Sequence, residues 1–322
     1  MNLSPKENYL RALNHQEPEY IPFGVAESVL VASNLELEYG HPGGGIDGFG
    51  VRWVSSAEGA GQSLPDSRAF LLDDVTEWKK KVTIPNPDKI DWQSMAETQL
   101  AGVNRDTTPT LVISPNGPFE RLAACMGFEN ALIAMVEEPD AVNELLSAIT
   151  DFKIKFIKNI AKYFKPDIFY YADDIATERN LFMSPATYRE LIKPQHKRIA
   201  EASKECGMIP IQHTCGRAED IIEDIIDTGA DAWSSVQPRN DIAGLLKKYG
   251  NKIVIEGGYD ANGAPGFETA SNEKIEAEVR RCFSEYGKYK GYTFWGFLMK
   301  TGTNLNIFED VFNAYLKVRD GK

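Results

Sequence analysis

The segment Gln212-His213-Thr214-Cys215-Gly216 sets an imidazole and a thiol two residues apart. On an extended backbone, residues i and i+2 project to the same side, so both side chains can reach one ion. A nitrogen donor beside a soft sulfur donor favours zinc over magnesium or calcium. A buried cysteine next to a hydrogen-bonded histidine would look the same in sequence, so the surroundings have to choose. Met208 to Gln212 reads as a strand, which puts the pair at a strand's C-terminal end, where parallel α/β folds gather their chemistry.

The elements that must hold this pair in place follow from periodicity. Asp167 to Tyr171 reads as a strand. Ser184-Pro185 then supplies a serine N-cap with proline at the first helical position, and a helix runs to about Cys206. Gly207 stops it, and the strand that carries His213 follows. Ile221, Ile222, Ile225 and Ile226 recur at helical spacing within Ala218 to Thr228, before the strand Ala232 to Val236. A helix Asp241 to Tyr249, a strand Ile253 to Glu256, a helix Asn272 to Tyr286 and a last strand Tyr292 to Phe294 complete four successive αβ repeats. In the first half, Ile21 to Val25 and Thr110 to Ser114 read as strands, 41–60 as a long glycine-rich loop, and Ala141 to Phe164 as a helix. The expectation is one α/β domain over 1–322, a (β/α)8 TIM barrel with an N-terminal helical extension and long early loops.

In such a barrel the polar residues just beyond each strand share one face. They are Glu27, Asn116, Glu120, Asp173, Asp174, His213, Cys215, Gln237, Glu256, Asp260 and the aromatic Trp295. From this ring Asp173, Asp174, Glu27 and Asp260 are expected to act in catalysis. The two adjacent aspartates either orient His213 or handle a proton; a helix-start cap and a solvated acid are the structural alternative. Aromatic residues are dense around the same mouth, at Trp53, Phe119, Tyr170, Tyr171, Tyr259, Trp295 and Phe297. Asn116, Tyr171, Trp295 and Phe297 are expected to meet substrate, since flat side chains beyond strand ends can line a flat pocket.

A net charge of −12 argues against a nucleic-acid partner, whose phosphates require clustered lysine and arginine. The absence of a long apolar run and of a signal-peptide pattern predicts a cytoplasmic chain without a membrane span. Four scattered cysteines, Cys125, Cys206, Cys215 and Cys282, do not form a disulfide framework in a chain of this length, so a special cysteine is expected to bind metal. Gly43-Gly44-Gly45 lacks the lysine and helix start of a phosphate loop and reads as a turn.

Several blocks resemble a known family in order. Arg11-Ala12-Leu13-Asn14-His15-Gln16-Glu17-Pro18 with Ile21-Pro22, then Asp47-Gly48-Phe49-Gly50-Val51 with Trp53, resembles the opening of the methyltransferase branch of the uroporphyrinogen decarboxylase superfamily. Tyr171-Ala172-Asp173-Asp174, Ser184-Pro185, Lys193-Pro194, His213-Thr214-Cys215-Gly216 and Gly257-Gly258-Tyr259-Asp260 match its later blocks. The resemblance implies a TIM barrel with zinc at the strand ends. It also implies methyl transfer between a small methylated molecule, such as methanol, a methylamine, chloromethane or an aromatic methyl ether, and a corrinoid protein. No Asp-x-His-x-x-Gly segment is present to ligate a cobalamin, so the corrinoid is expected to arrive on a partner protein. A homodimer stays open.

Two departures from the branch shape the expectation. Thiol-methylating members carry a third ligand, a cysteine just past a glycine on the final strand, whereas here Gly296 precedes Phe297. Glu256 is therefore expected to complete the site with His213 and Cys215, with Cys282 as the alternative third ligand and an outward-turned acid as the structural reading of Glu256. Decarboxylases of the superfamily hold an acidic porphyrinogen with an arginine-rich segment after the first strand; from Met1 to Val51 this chain has only Arg11. The expected function is zinc-dependent transfer of methyl, preferentially from an aromatic methyl ether, to a corrinoid protein. Methylation of a thiol by a methyl-corrinoid and decarboxylation of a smaller acid are the alternatives.

Overall fold

The strand segments are buried on both faces, and that fixes their arrangement: Ile168-Phe169-Tyr170-Tyr171 and Ala232 to Val236 are continuous runs of buried residues, as parallel strands covered by helices require. The computed structural model describes residues 2–32, 44–55, 63–300 and 306–321. Seven strands form one parallel sheet in the order β1 (Val29–Leu30), β5 (Thr110–Ser114), β6 (Ile168–Ala172), β7 (Ile209–His213), β8 (Ala232–Val236), β9 (Val254–Gly258) and β10 (Tyr292–Trp295). A smaller antiparallel sheet joins β2 (Gly44–Ile46), β3 (Arg52–Ser55) and β4 (Ser63–Pro65). The large sheet curls, and the amide of Phe294 in β10 donates to the carbonyl of Pro22 at 2.9 Å. The segment 21–23 thus stands where an eighth strand closes a (β/α)8 barrel.

The expected strand Ile21 to Val25 is corrected. Residues Gly24–Glu27 form a helical turn and the sheet pairing begins later, at Val29 with Thr110. The glycine-rich stretch 41–60 is corrected in part: its described residues contribute β2 and β3 to the small sheet, while 41–43 and 56–60 lie outside the described residues. From Ile168 onward, the strands and the helices Lys193–Glu205, Ile242–Tyr249 and Asn272–Tyr286 fall within a few residues of the sequence expectation.

Alternation along the strands divides the apolar residues into two cores. Leu111, Ile168, Tyr170, Ile211, Ala232 and Val254 point inward and pack with Tyr9 and Leu13 of the N-terminal helix Pro5–Leu13, which closes the barrel floor. Val112, Phe169, Tyr171, Trp233, Ile255 and Phe294 point outward under the helices. By the same period of two, His213, Ser234, Glu256, Thr293 and Trp295 face inward, and Gln212 faces the helices. Each fully buried Ile or Phe contributes roughly 1.5–3 kcal/mol, so inward and outward faces are both strongly specified.

The block Asp47-Gly48-Phe49-Gly50-Val51 has a structural explanation. One Asp47 oxygen accepts from the amides of Phe49 and Val51, both at 2.9 Å, and the other from the Trp53 indole at 2.9 Å and from Arg121. Gly50 at φ +93° makes the turn between them. The Arg121 guanidinium lies 4.2 Å from the Phe49 ring centroid, fully buried with its carboxylate.

Candidate metal centre

At the C-terminal end of β7 the backbone is held by its neighbours. Thr214 donates its hydroxyl to the Asp173 carbonyl at 2.8 Å, and the Asp173 amide donates to the His213 carbonyl at 3.0 Å. The Cys215 amide donates to the Asp174 carboxylate at 2.7 Å, which ties the loop after β6 to the loop after β7. Gly216, at φ +84°, must be glycine: a Cβ there would come within 2.5 Å of the Thr177 carbonyl oxygen.

Asp174, His213 and Cys215 each present one ligand atom, all within 4.8 Å of one another. The Cys215 Sγ to His213 Nε2 separation is 3.8 Å. Zinc bonds of ~2.3 Å to sulfur and ~2.0 Å to nitrogen, at a tetrahedral angle, place the two donors about 3.5 Å apart. The donor set therefore fits zinc in distance and in chemistry. Burial pushes the His213 imidazole below its usual range, which favours the neutral form that ligation needs, while Asp174 pulls it back up. Burial first and the Asp174 charge second push the Cys215 thiol well up; Ser235, 3.5 Å from its sulfur, opposes this, and Glu120 adds to it. A thiolate among acids in a desolvated pocket is favourable only when a cation joins them.

Glu256, the expected third ligand, lies outside this group, and Asp174 is the carboxylate beside His213 and Cys215. Glu256 is fully buried inside the barrel, with one oxygen taking the Tyr170 hydroxyl at 2.6 Å and the other taking Tyr9 at 2.7 Å and Thr293 at 3.2 Å. It is neither outward-turned nor in the metal group. Burial raises its carboxyl, and the surrounding hydroxyls draw it back down. Cys282 is buried in the helix Asn272–Tyr286, where Arg281 reaches its sulfur at 3.5 Å, and it does not belong to the metal group either.

The acidic pair after β6 divides. Asp173 is fully buried: its carboxylate accepts from the amides of Phe119 and Glu120 at 3.1 and 2.9 Å and meets His196 Nε2 at 2.8 Å. It caps the helix Pro118–Met126 from outside that helix, so the acid expected to act in catalysis has its oxygens taken up by two helix-start amides and a buried imidazole. Asp173→Ala should lower stability by about 2–4 kcal/mol, having stripped two helix-start amides and a buried imidazole of their acceptor. Asp174→Asn should leave the melting temperature nearly unchanged and lower metal content. Equal thermal effects of the two substitutions would remove the distinction.

Other expectations are redirected by contacts from distant segments. Glu27 turns to the C-terminal helix Glu309–Arg319 instead of the mouth: it accepts from the Phe23 amide and the Tyr20 hydroxyl, both at 3.0 Å, with Tyr315 at 3.4 Å and Arg319 at 3.5 Å. Tyr171 faces the helices, its hydroxyl on Gln212 at 3.3 Å and its ring 5.6 Å from His196, so it is corrected from substrate contact to packing. The Asp260 carboxylate is folded over its own turn, where a Cβ on Gly263 would meet it at 2.1 Å. Asn116 is buried in the turn after β5 at φ 49°, one residue before Gly117, whose amide donates to Ala172 at 2.7 Å.

Trp295 and Phe297 do come to the centre. The indole meets the His213 ring edge-on with centroids 5.4 Å apart, and Phe297 lies 5.0 Å beyond it. Glu120 joins them from the start of the helix Pro118–Met126; burial, then the charges of Asp174 and Asp173, hold its carboxyl well above the usual range. Its signal in the sequence was position alone, among the strand-end acids.

At the strand ends of this parallel α/β barrel a carboxylate, an imidazole and a thiol stand close enough together that they could hold a metal ion. The chain belongs to the uroporphyrinogen decarboxylase (URO-D) family, whose model matches residues 57–306. It is similar to a methylated-thiol–coenzyme M methyltransferase of Methanosarcina mazei, 27% identical over 153 residues; that match covers 46% of this chain and 40% of the relative. In fold it is similar to a solved methyltransferase from Methanosarcina mazei, with a TM-score of 0.70, 14% identity and 99% of each chain covered. Among the described residues no helix is long and apolar enough to cross a membrane.

Proposed function

We propose that this chain transfers a methyl group from a methylated small molecule, preferentially an aromatic methyl ether, to a corrinoid carried by a partner protein. The observation that supports this reading is the grouping of Asp174, His213 and Cys215 at the strand ends, a zinc-type donor set with one thiol. Zinc, when bound there, supplies Lewis acidity to the heteroatom that leaves the methyl group. The chain's own residues do the rest. Trp295 and Phe297 offer an aromatic wall beside His213 against which a flat ring can lie. Asp174, held by the Cys215 amide, fixes the two loops relative to each other and so keeps the donor set together.

A specific observation favours a second reading, in which the methylated group is a thioether or thiol: the curated relative acts on methylated thiols. The same centre would serve, with sulfur as the departing or accepting atom. Purified protein with free reduced cobalamin should convert it to methylcobalamin, seen by its absorption change, when given a methoxylated aromatic. Methylation only with methylthio compounds would move the assignment to the second reading, and no methylation with either class would overturn both.

A further inference from the structure

Strand β8 breaks its alternation beside the metal centre. Its register with β9 pairs Trp233 with Ile255 and Val236 with Gly257, so Ser234 and Ser235 together stand opposite the single residue Glu256. Such a bulge adds one residue to a strand and re-aims the side chains beside it. Gly257 makes room for it, since a Cβ there would come within 2.2 Å of the Val236 carbonyl oxygen. A regular strand would send Ser234 and Ser235 to opposite faces. Here both hydroxyls reach the ligand pair at the end of β7: Ser234 Oγ lies 3.3 Å from His213 Nδ1, and Ser235 Oγ lies 3.5 Å from Cys215 Sγ. Both serines are buried, and the amide of Thr214, between the two ligands, donates to the Ser234 carbonyl at 2.6 Å.

We infer that Ser234 and Ser235 are positioning residues for the metal centre, one for each ligand of the His213 and Cys215 pair, with opposite hydrogen-bond roles. The roles follow from the chemistry of the ligands. His213 turns Nε2 to the Cys215 sulfur, 3.8 Å away. When Nε2 holds an ion, the neutral imidazole carries its proton on Nδ1, so Nδ1 donates and Ser234 accepts. A cysteine that binds metal is a thiolate with no proton to give, so Ser235 donates and the sulfur accepts. The first bond fixes the tautomer and the plane of the ring. The second draws electron density from the sulfur and holds it in place. A strand without the extra residue would supply one of these bonds, not both.

The inference rests on the metal reading above, and its test separates the two. Zinc affinity is measured by chelator competition, and the protein loaded with Co2+ is read by its sulfur-to-cobalt charge-transfer absorption. Ser234→Ala and Ser235→Ala should each weaken zinc affinity by about 10- to 100-fold. Only Ser235→Ala should move the charge-transfer band, and to longer wavelength, because a sulfur that has lost a hydrogen-bond donor holds its electrons less tightly. Ser235→Thr keeps the hydroxyl and should return the band toward its wild-type position. Ser203→Ala removes an equally buried serine hydroxyl, one that donates to the Ile199 carbonyl within the helix Lys193–Glu205, and should change neither reading. Wild-type affinity in Ser234→Ala, an unmoved band in Ser235→Ala, or equal losses in Ser203→Ala would overturn the inference. A wild type that takes up neither ion overturns the metal reading and this inference together, whereas uptake by the wild type with serine variants that match it overturns this inference alone.

Discussion

Cys215→Ala and His213→Ala should each weaken zinc binding by more than roughly 100-fold, beyond what loss of an outer hydrogen-bond partner produces. This is the largest functional effect expected, because a three-ligand centre deprived of one donor keeps only two and the affinity falls steeply. Elemental analysis of purified protein, before and after dialysis against a weak chelator, measures it. Cys282→Ala serves as the comparison: the residue is fully buried in the helix Asn272–Tyr286 and is not one of the metal group. Retention of zinc by Cys215→Ala together with its loss from Cys282→Ala would reverse the assignment and return weight to a thiol-methylating centre.

The largest effect on stability is expected at Asp47. Alanine there should lower the free energy of unfolding by about 3–5 kcal/mol, since it leaves the Arg121 charge buried without its carboxylate. It also removes the acceptor for the Phe49 and Val51 amides and the Trp53 indole. Urea unfolding of the variant should show a lower midpoint with little change in slope. A loss below 1 kcal/mol would mean that the pair is dispensable to the packing of the small sheet. The motif containing Asp47 is thus explained by a turn and its anchor, with no direct part in the metal centre.

His213 and Cys215 were legible in the sequence because their relation is local: two residues on one strand obey the period of two wherever the strand lies. The same holds for Trp295, at the end of the last strand and facing the same way. Residues whose roles depend on distant segments were not legible. Glu256 looks like a strand-end acid until Tyr9, 247 positions earlier, enters the barrel floor and takes its oxygen. Glu27 is claimed by Tyr315, 288 positions later. Asp173 and Asp174 are adjacent and alike in type, and only the placement of the helix Pro118–Met126 beside one of them assigns a cap to Asp173 and leaves the carboxylate of Asp174 beside His213 and Cys215. The small antiparallel sheet was hidden by its glycines: Gly44 and Gly45, with φ of 91° and 146°, take backbone conformations that a side chain disfavours, and in sequence they resemble a loop.

The N-terminal helix that floors the barrel has a consequence for biosynthesis. Tyr9 leaves the ribosome long before the residue whose carboxylate it binds, and Pro22 precedes the strand of Phe294 that closes the sheet. Until β9 and β10 have emerged, the nascent chain is an open parallel sheet with a bare edge and an unsealed apolar interior. Its first helix has only part of its seat. Closure is a late, long-range event, and such topologies fold slowly and pass through aggregation-prone forms. Chaperone demand during synthesis should therefore concentrate in the interval between completion of β6 and emergence of the final helix.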